Sequence, residues 1–141
     1  MKEFVDTSVL VGAFWRGHPH HDASLKLVSA ANKRKSACAG HTLAEVYASM
    51  TALPVKDVIP PEQALLFVQE TRERFTIVSL GEDEYFQTIQ QAAARGFVSG
   101  RVYDALLLQC AAKVKAETIY TWNLKHFRAL RLESADRMRT P

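Results

Sequence analysis

The feature that most constrains this chain is an alternation: short apolar runs take turns with longer stretches of helical period. Lys2 to Val5, Ser36 to Ala39, Phe75 to Leu80 and Glu117 to Thr121 read as strands, and a last β-run is expected around Leu130 and Leu132. Strands that alternate with helices pair in parallel, because a parallel neighbour needs a crossover long enough to hold a helix. The pattern therefore predicts an α/β fold, a three-layer α/β/α sandwich around a parallel sheet of about four or five strands. At 141 residues, with no repeat, linker or low-complexity segment, residues 1–141 are expected to form one domain.

The helices are marked by their ends. Thr7 to Trp15 looks like the opening of a helix or turn after Asp6, and Gly17 to Pro19 break the chain. His21 to about Lys33 carries Ala23, Leu27, Ala30 and Ala31 at helical spacing. Thr42 opens a helix that Pro54 ends. Pro60-Pro61-Glu62 starts another, since proline suits the first turn and Glu the positive end of the dipole, with Leu65, Val68 and Phe67 expected to face inward. Gly96 closes a helix from Glu82 to Arg95. Arg101 to about Lys115 is the most apolar helix of the chain.

Composition narrows the setting. A chain 48% hydrophobic and 23% charged reads as a soluble globular protein. Cys38 and Cys110 stand apart in apolar runs and read as small buried hydrophobes in a reducing compartment. Neither a secretory signal nor a bilayer-spanning stretch is evident, so cytoplasm is the expected location and a membrane partner is not. The net charge of +3 suits a polyanionic partner without demonstrating one. Its local concentrations are Lys33-Arg34-Lys35, Arg72 with Arg74, and a C-terminal group of Lys125, Arg128, Arg131, Arg137 and Arg139.

Three acidic residues ask for a reason. Asp6 follows an apolar strand at the carboxyl edge of the expected sheet, where ligands bind in open α/β folds. It also suits a helix N-cap. Thr42-x-x-Glu45 is a capping-box pattern, so Glu45 has a structural reading beside a functional one. Asp104 sits in the first turn of the apolar Arg101 helix, where the helix dipole favours it but burial demands a partner. If the three converge, their repulsion is relieved by a divalent cation, and hard oxygen donors suit Mg²⁺ or Mn²⁺.

The same segments resemble the four motifs of PIN-domain ribonucleases. Phe4-Val5-Asp6-Thr7-Ser8-Val9-Leu10 resembles the first, Thr42-Leu43-Ala44-Glu45-Val46-Tyr47 the second, and Gly100-Arg101-Val102-Tyr103-Asp104-Ala105-Leu106 the third. Ile119-Tyr120-Thr121-Trp122-Asn123 through Phe127 resembles the fourth, and order, spacing and length resemble a VapC-type toxin of a toxin–antitoxin pair. The resemblance implies a Mg²⁺-dependent endoribonuclease (Mn²⁺ an alternative) that cleaves RNA through a metal-activated water. Asp6, Glu45 and Asp104 would be its catalytic metal ligands, supported by Thr7, Ser8, Thr121 and Asn123. Arg101, Lys125 and Arg128 are candidate RNA phosphate contacts. A VapB-type antitoxin and a homodimer are the implied protein partners. The fourth motif departs from the pattern: relatives often have an acid at the position of Asn123 or His126, and neither is acidic here.

Other readings stay beside this one. A catalytically inactive PIN-fold module that binds RNA or protein would keep the fold and gain nothing from Mg²⁺. A phosphoryl-transfer domain with a nucleophilic strand-end Asp would want a second acid two residues on, where Ser8 stands. His18, His20 and His21 form a cluster in a Gly- and Pro-bounded loop, read as a solvated loop rather than a zinc site. His41 and His126 stand beside two motifs as RNA contacts or as core or surface residues. Trp15, Tyr47, Trp122 and Phe127 are core residues or stacking platforms.

Overall fold

The alternation in the sequence becomes a five-stranded, all-parallel sheet in the order β3-β2-β1-β4-β5. The computed structural model describes residues 1–54, 56, 58–130 and 136–141. In chain order the elements are β1 (Glu3–Val5), α1 (Thr7–Phe14), α2 (His21–Ala30), β2 (Ser36–Ala39), α3 (Gly40–Thr51), α4 (Pro61–Arg74) and β3 (Thr76–Val78). They continue with α5 (Glu82–Ala94), α6 (Arg101–Lys113), β4 (Thr118–Tyr120), α7 (Leu124–Arg128) and β5 (Met138–Arg139).

Side chains on a strand point alternately to opposite faces, and here both faces are covered. Phe4, Ala37, Ala39, Val78 and Ile119 enter one core with Leu107, Leu108, Ala111 and Phe127 from α6 and α7. Val5 and Cys38 point the other way, into a second core with Val9 and Leu10 of α1, Val46 and Met50 of α3 and Ala64 of α4. The result is the three-layer sandwich the pattern predicts. Phe4, Phe75, Phe127, Leu10 and Met50 are among the largest fully buried side chains, each stabilising the fold by roughly 1.5–3 kcal/mol. Cys38 and Cys110 are buried and free, and burial pushes their thiols up to about 12 and about 11, so both stay neutral packing groups.

Gly96 ends α5 as expected. Its φ of 74° lets Gly96 N–H reach Ala93 O and Phe97 N–H reach Ala92 O, a paired closure that a Cβ would strain.

Several expectations need correction. Leu65 does not face inward: it is 50% exposed, and α4 instead presents Ala64, Phe67, Val68 and Thr71 to the core. In α2 the inward residues are Ser24, Leu27 and Val28, joined by Ala31 just past its end, while Ala23 and Ala30 face solvent. That helix ends at Ala30, and the basic Lys33-Arg34-Lys35 run forms the turn before β2. α3 begins at Gly40 rather than Thr42. The last strand is Met138–Arg139 beside β4, and Leu130 is a buried residue of a turn. Leu132 and Arg131 lie outside the described residues. α7, which spans the end of the fourth motif and leads into that turn, is a helix the periodicity does not predict.

Candidate active site

The strand order fixes where a ligand can sit. The chain runs from β1 outward through β2 and β3, then crosses to the other side of β1 for β4 and β5. Connections leave β1 and β4 in opposite directions, which opens a crevice at their carboxyl ends. Asp6 follows β1 and Thr121 follows β4, so both stand at that crevice.

Asp6 occupies the N-cap position of α1, yet its side chain makes no cap bond. Its Oδ2 accepts from Ser8 Oγ at 2.8 Å and from Thr121 Oγ1 at 2.8 Å. Its backbone N–H donates to Tyr120 O at 2.9 Å, continuing the ladder between β1 and β4. The two hydroxyls are themselves held: Ser8 Oγ accepts from Trp122 N–H at 3.0 Å, and Thr121 Oγ1 from Asn123 N–H at 3.0 Å. Asp6 is 7% exposed and Thr121 is fully buried, so this network orients the carboxylate and leaves Oδ1 outside it.

Glu45 is not a cap. With α3 starting at Gly40, Thr42 lies inside the helix, fully buried, 3.3 Å from Thr7 Oγ1. Thr7 Oγ1 donates to Glu45 Oε1 at 3.0 Å, and His41 Nε2 lies 3.6 Å from the same oxygen. Glu45 is thus tied to the residue after Asp6, with its side chain 49% exposed.

Asp104 comes in on the first turn of α6 with Oδ2 buried. His126 Nε2 stands 2.7 Å from that oxygen and is its partner, an ion-pair contact whose alignment is poor for a hydrogen bond. Burial pushes the Asp104 carboxyl above the usual carboxylate range, His126 beside it pulls back, the Asp6 carboxylate raises it further, and Arg101 opposes. Asp6 and Asp104 therefore feel one another's charge across the crevice.

Among the described residues, no three His, Cys, Asp or Glu side chains converge tightly enough to enclose an ion by themselves. Asp6 and Asp104 share the crevice, and Glu45 stands at its side through Thr7. The donor set nonetheless fits a magnesium-type ion, which keeps several waters and commonly takes only one or two carboxylates from the protein. A buried carboxylate oxygen held only by a neighbouring histidine, and raised by the charge of a second carboxylate, is the kind of group that a cation satisfies.

Arg101 is exposed on α6, and Lys125 and Arg128 are exposed on α7. Asn123 is exposed, and its backbone rather than its side chain joins the Thr121 network. The histidine loop forms no metal triad: His18 Nδ1 accepts from His20 N–H, His21 Nδ1 contacts Gly12 O, and His20 stacks on Trp122 at 3.9 Å. Phe127 is core, whereas Trp122 is half-buried, its Nε1–H bonded to Ser24 Oγ at 2.8 Å. Sequence reasoning misses the pairings of His41 and His126 with Glu45 and Asp104. The i, i+4 spacing of His41 and Glu45 is a visible signal for the first, but the second depends on α7.

Comparison with known proteins agrees with this architecture. The PIN domain family model matches residues 4–131. Ribonuclease VapC27 of Mycobacterium tuberculosis is 33% identical over 113 residues, covering 80% of this chain and 79% of that protein. The structure of M. tuberculosis VapC20, described as a sarcin-ricin loop cleaving toxin, superposes with a TM-score of 0.72 at 15% identity, over 91% of this chain and 95% of the other. A VapBC2 complex of Rickettsia felis, bound to a promoter DNA fragment, gives 0.67 at 19% identity over 100% and 99%. A matching family model over nearly the whole chain, together with that ribonuclease relative, shows that this chain belongs to the PIN-domain family as a VapC-type member.

Proposed function

We propose that this chain is a Mg²⁺-dependent endoribonuclease, the toxin of a toxin–antitoxin pair, working in the cytoplasm. The observation that carries the reading is a pair of carboxylates at the sheet's crevice: Asp6, held by Ser8 and Thr121, and Asp104, whose buried Oδ2 lies beside His126 and whose carboxyl is raised by the Asp6 charge. Asp6 and Asp104 would hold the ion, with Glu45 reached through Thr7 at its side. A bound Mg²⁺ supplies Lewis-acid stabilisation of the phosphodiester and activation of the attacking water. The chain's own part is orientation. Ser8 and Thr121 fix one Asp6 oxygen so that the other meets the crevice, and the buried environment of Asp104 strengthens electrostatic interactions there. Arg101, Lys125 and Arg128, exposed on α6 and α7, would contact RNA phosphates.

Support for an antitoxin partner comes from the VapBC complex among the structural neighbours and from a cavity of about 450 Å³ between α2 and α4. Phe14, Leu25, Leu66 and Phe67 give that cavity an apolar lining, edged by Arg16 and the Arg74–Glu70 ion pair, a combination that suits an amphipathic peptide. A homodimer belongs to the same proposal, with the exposed apolar residues of α5, Phe86 and Ile89, as a candidate surface.

The test is cleavage of a single-stranded RNA by purified protein with Mg²⁺ or with chelator. Wild type is expected to cut only with the ion, and Asp6→Asn to be folded and inactive. Near wild-type cutting by Asp6→Asn would refute the assignment. A second reading, an RNA-binding module without cleavage, draws on the fourth motif, where neither Asn123 nor His126 is acidic and His126 instead pairs with Asp104. It predicts RNA retention unaffected by Mg²⁺ and no products.

A further inference from the structure

We infer that His20, stacked on Trp122, is a platform on which a base of single-stranded RNA stacks beside the crevice that holds Asp6. This rests on reading the chain as a ribonuclease. Three observations carry it.

The first is position. Trp122 follows Thr121 at the carboxyl end of β4, and its N–H donates at 3.0 Å to Ser8 Oγ, the hydroxyl that bonds Asp6 Oδ2 at 2.8 Å. From that anchor the indole reaches α2, where Nε1–H donates to the buried Ser24 Oγ at 2.8 Å. The indole thus leads from the crevice to the start of α2. There the His20 ring lies against it, with centroids 3.9 Å apart and planes at 10°.

The second is preorganisation. His20 occupies the N-cap of α2, where Ser, Thr, Asp or Asn would satisfy the free N–H groups, yet its side chain makes no cap bond. The helix has no need of this imidazole, which is exposed and held flat on Trp122 instead. The loop beneath it is fixed as well: His20 N–H donates to His18 Nδ1 at 3.0 Å, and His21 Nδ1 contacts Gly12 O at 2.9 Å. A base that lands on an ordered ring loses less entropy than one that must first order a mobile side chain.

The third is the surroundings. His20 also lines a cavity of about 350 Å³ with Arg16, His18, His21 and Asp22. That volume lies at the small end of ligand sites and suits one nucleotide. Arg16 supplies positive charge for an adjoining phosphate, and a flat ring beside a cation is the combination that holds single strands.

Fluorescence anisotropy tests this with a labelled single-stranded RNA of mixed sequence and an abasic ribose-phosphate strand of the same length, both in chelator so that neither is cut. His20→Ala is expected to weaken RNA binding by at least about fivefold and to leave the abasic strand unchanged. His20→Phe keeps a flat ring without a titratable nitrogen and should bind RNA close to wild type. Circular dichroism checks that both variants are folded. Equal weakening of the two strands, no weakening of RNA, or a His20→Phe variant as weak as His20→Ala overturns the inference. If wild type still cuts RNA with Mg²⁺, such a result leaves the ribonuclease reading standing. A wild type that neither binds nor cuts RNA overturns both.

Discussion

Replacing Thr121 with valine isolates one part of the site, because the two side chains share a shape and differ in a single hydroxyl. Thr121 is fully buried, and its Oγ1 donates to Asp6 Oδ2 at 2.8 Å while accepting from Asn123 N–H at 3.0 Å. A hydrogen bond to a charged acceptor contributes about 1.5–3 kcal/mol. The orphaned Asn123 N–H adds little, since Asn123 is exposed and water can replace the acceptor. Ser8 Oγ still holds the same Asp6 oxygen, so the carboxylate is loosened rather than abandoned. A net cost of about 2 kcal/mol follows. For a chain of this length that lowers Tm by roughly 8 °C, measurable by calorimetry at pH 7. The interaction is separated from any packing effect by a double-mutant cycle with Asp6→Asn. Thr121→Val should cost at least about 1 kcal/mol less in the Asp6→Asn background than in wild type. Equal costs in the two backgrounds would show that Thr121 does not act on Asp6, and the orienting role given to it here would be wrong.

Two further outcomes follow. Burial raises the folded carboxyl of Asp104 above its unfolded value near 3.9, so its ionisation weakens the fold as pH rises between the two values. Asp104→Asn is therefore expected to be more stable than wild type at pH 7 without metal, with the gain fading below about pH 4; urea titrations across pH check this, and a gain that grows toward acid pH would contradict it. On α4, Leu65→Glu should change stability by no more than about 0.5 kcal/mol, whereas Ala64→Leu, on the fully buried face one residue away, should cost about 1–3 kcal/mol in the same assay.

Much of this architecture was legible because its signals are local. Four apolar runs, each stopped by a glycine or a polar turn, mark the first four strands, and the need for crossovers makes them parallel. Gly96 marks the end of α5 through a backbone conformation that glycine adopts freely. What escaped was set by tertiary contacts. β5 is two residues long and exists through its pairing with β4, so no periodicity could reveal it. Leu65 and Leu66 are as apolar as core residues, and only the packing of α4 on α3 puts Ala64 and Thr71 inside instead.

The site divides in the same way. Asp6 and Asp104 stand out because a carboxylate at a strand end or on an apolar helix demands a partner. Glu45 is visible too, but the capping pattern suggested by Thr42 dissolves once α3 begins two residues earlier and Thr42 turns toward Thr7. The contact between His126 and Asp104 joins residues far apart in sequence, through a helix of five residues that carries almost no periodic signal.

Asp6 and Asp104 are proposed to hold one divalent ion together at the carboxyl ends of β1 and β4. Isothermal titration of Mn²⁺ into wild type, Asp6→Asn and Asp104→Asn measures it without reference to any substrate. Wild type is expected to show one saturable site, lost in both variants while each retains the wild-type circular dichroism spectrum. Undiminished binding in both variants, or no site in wild type, would contradict it.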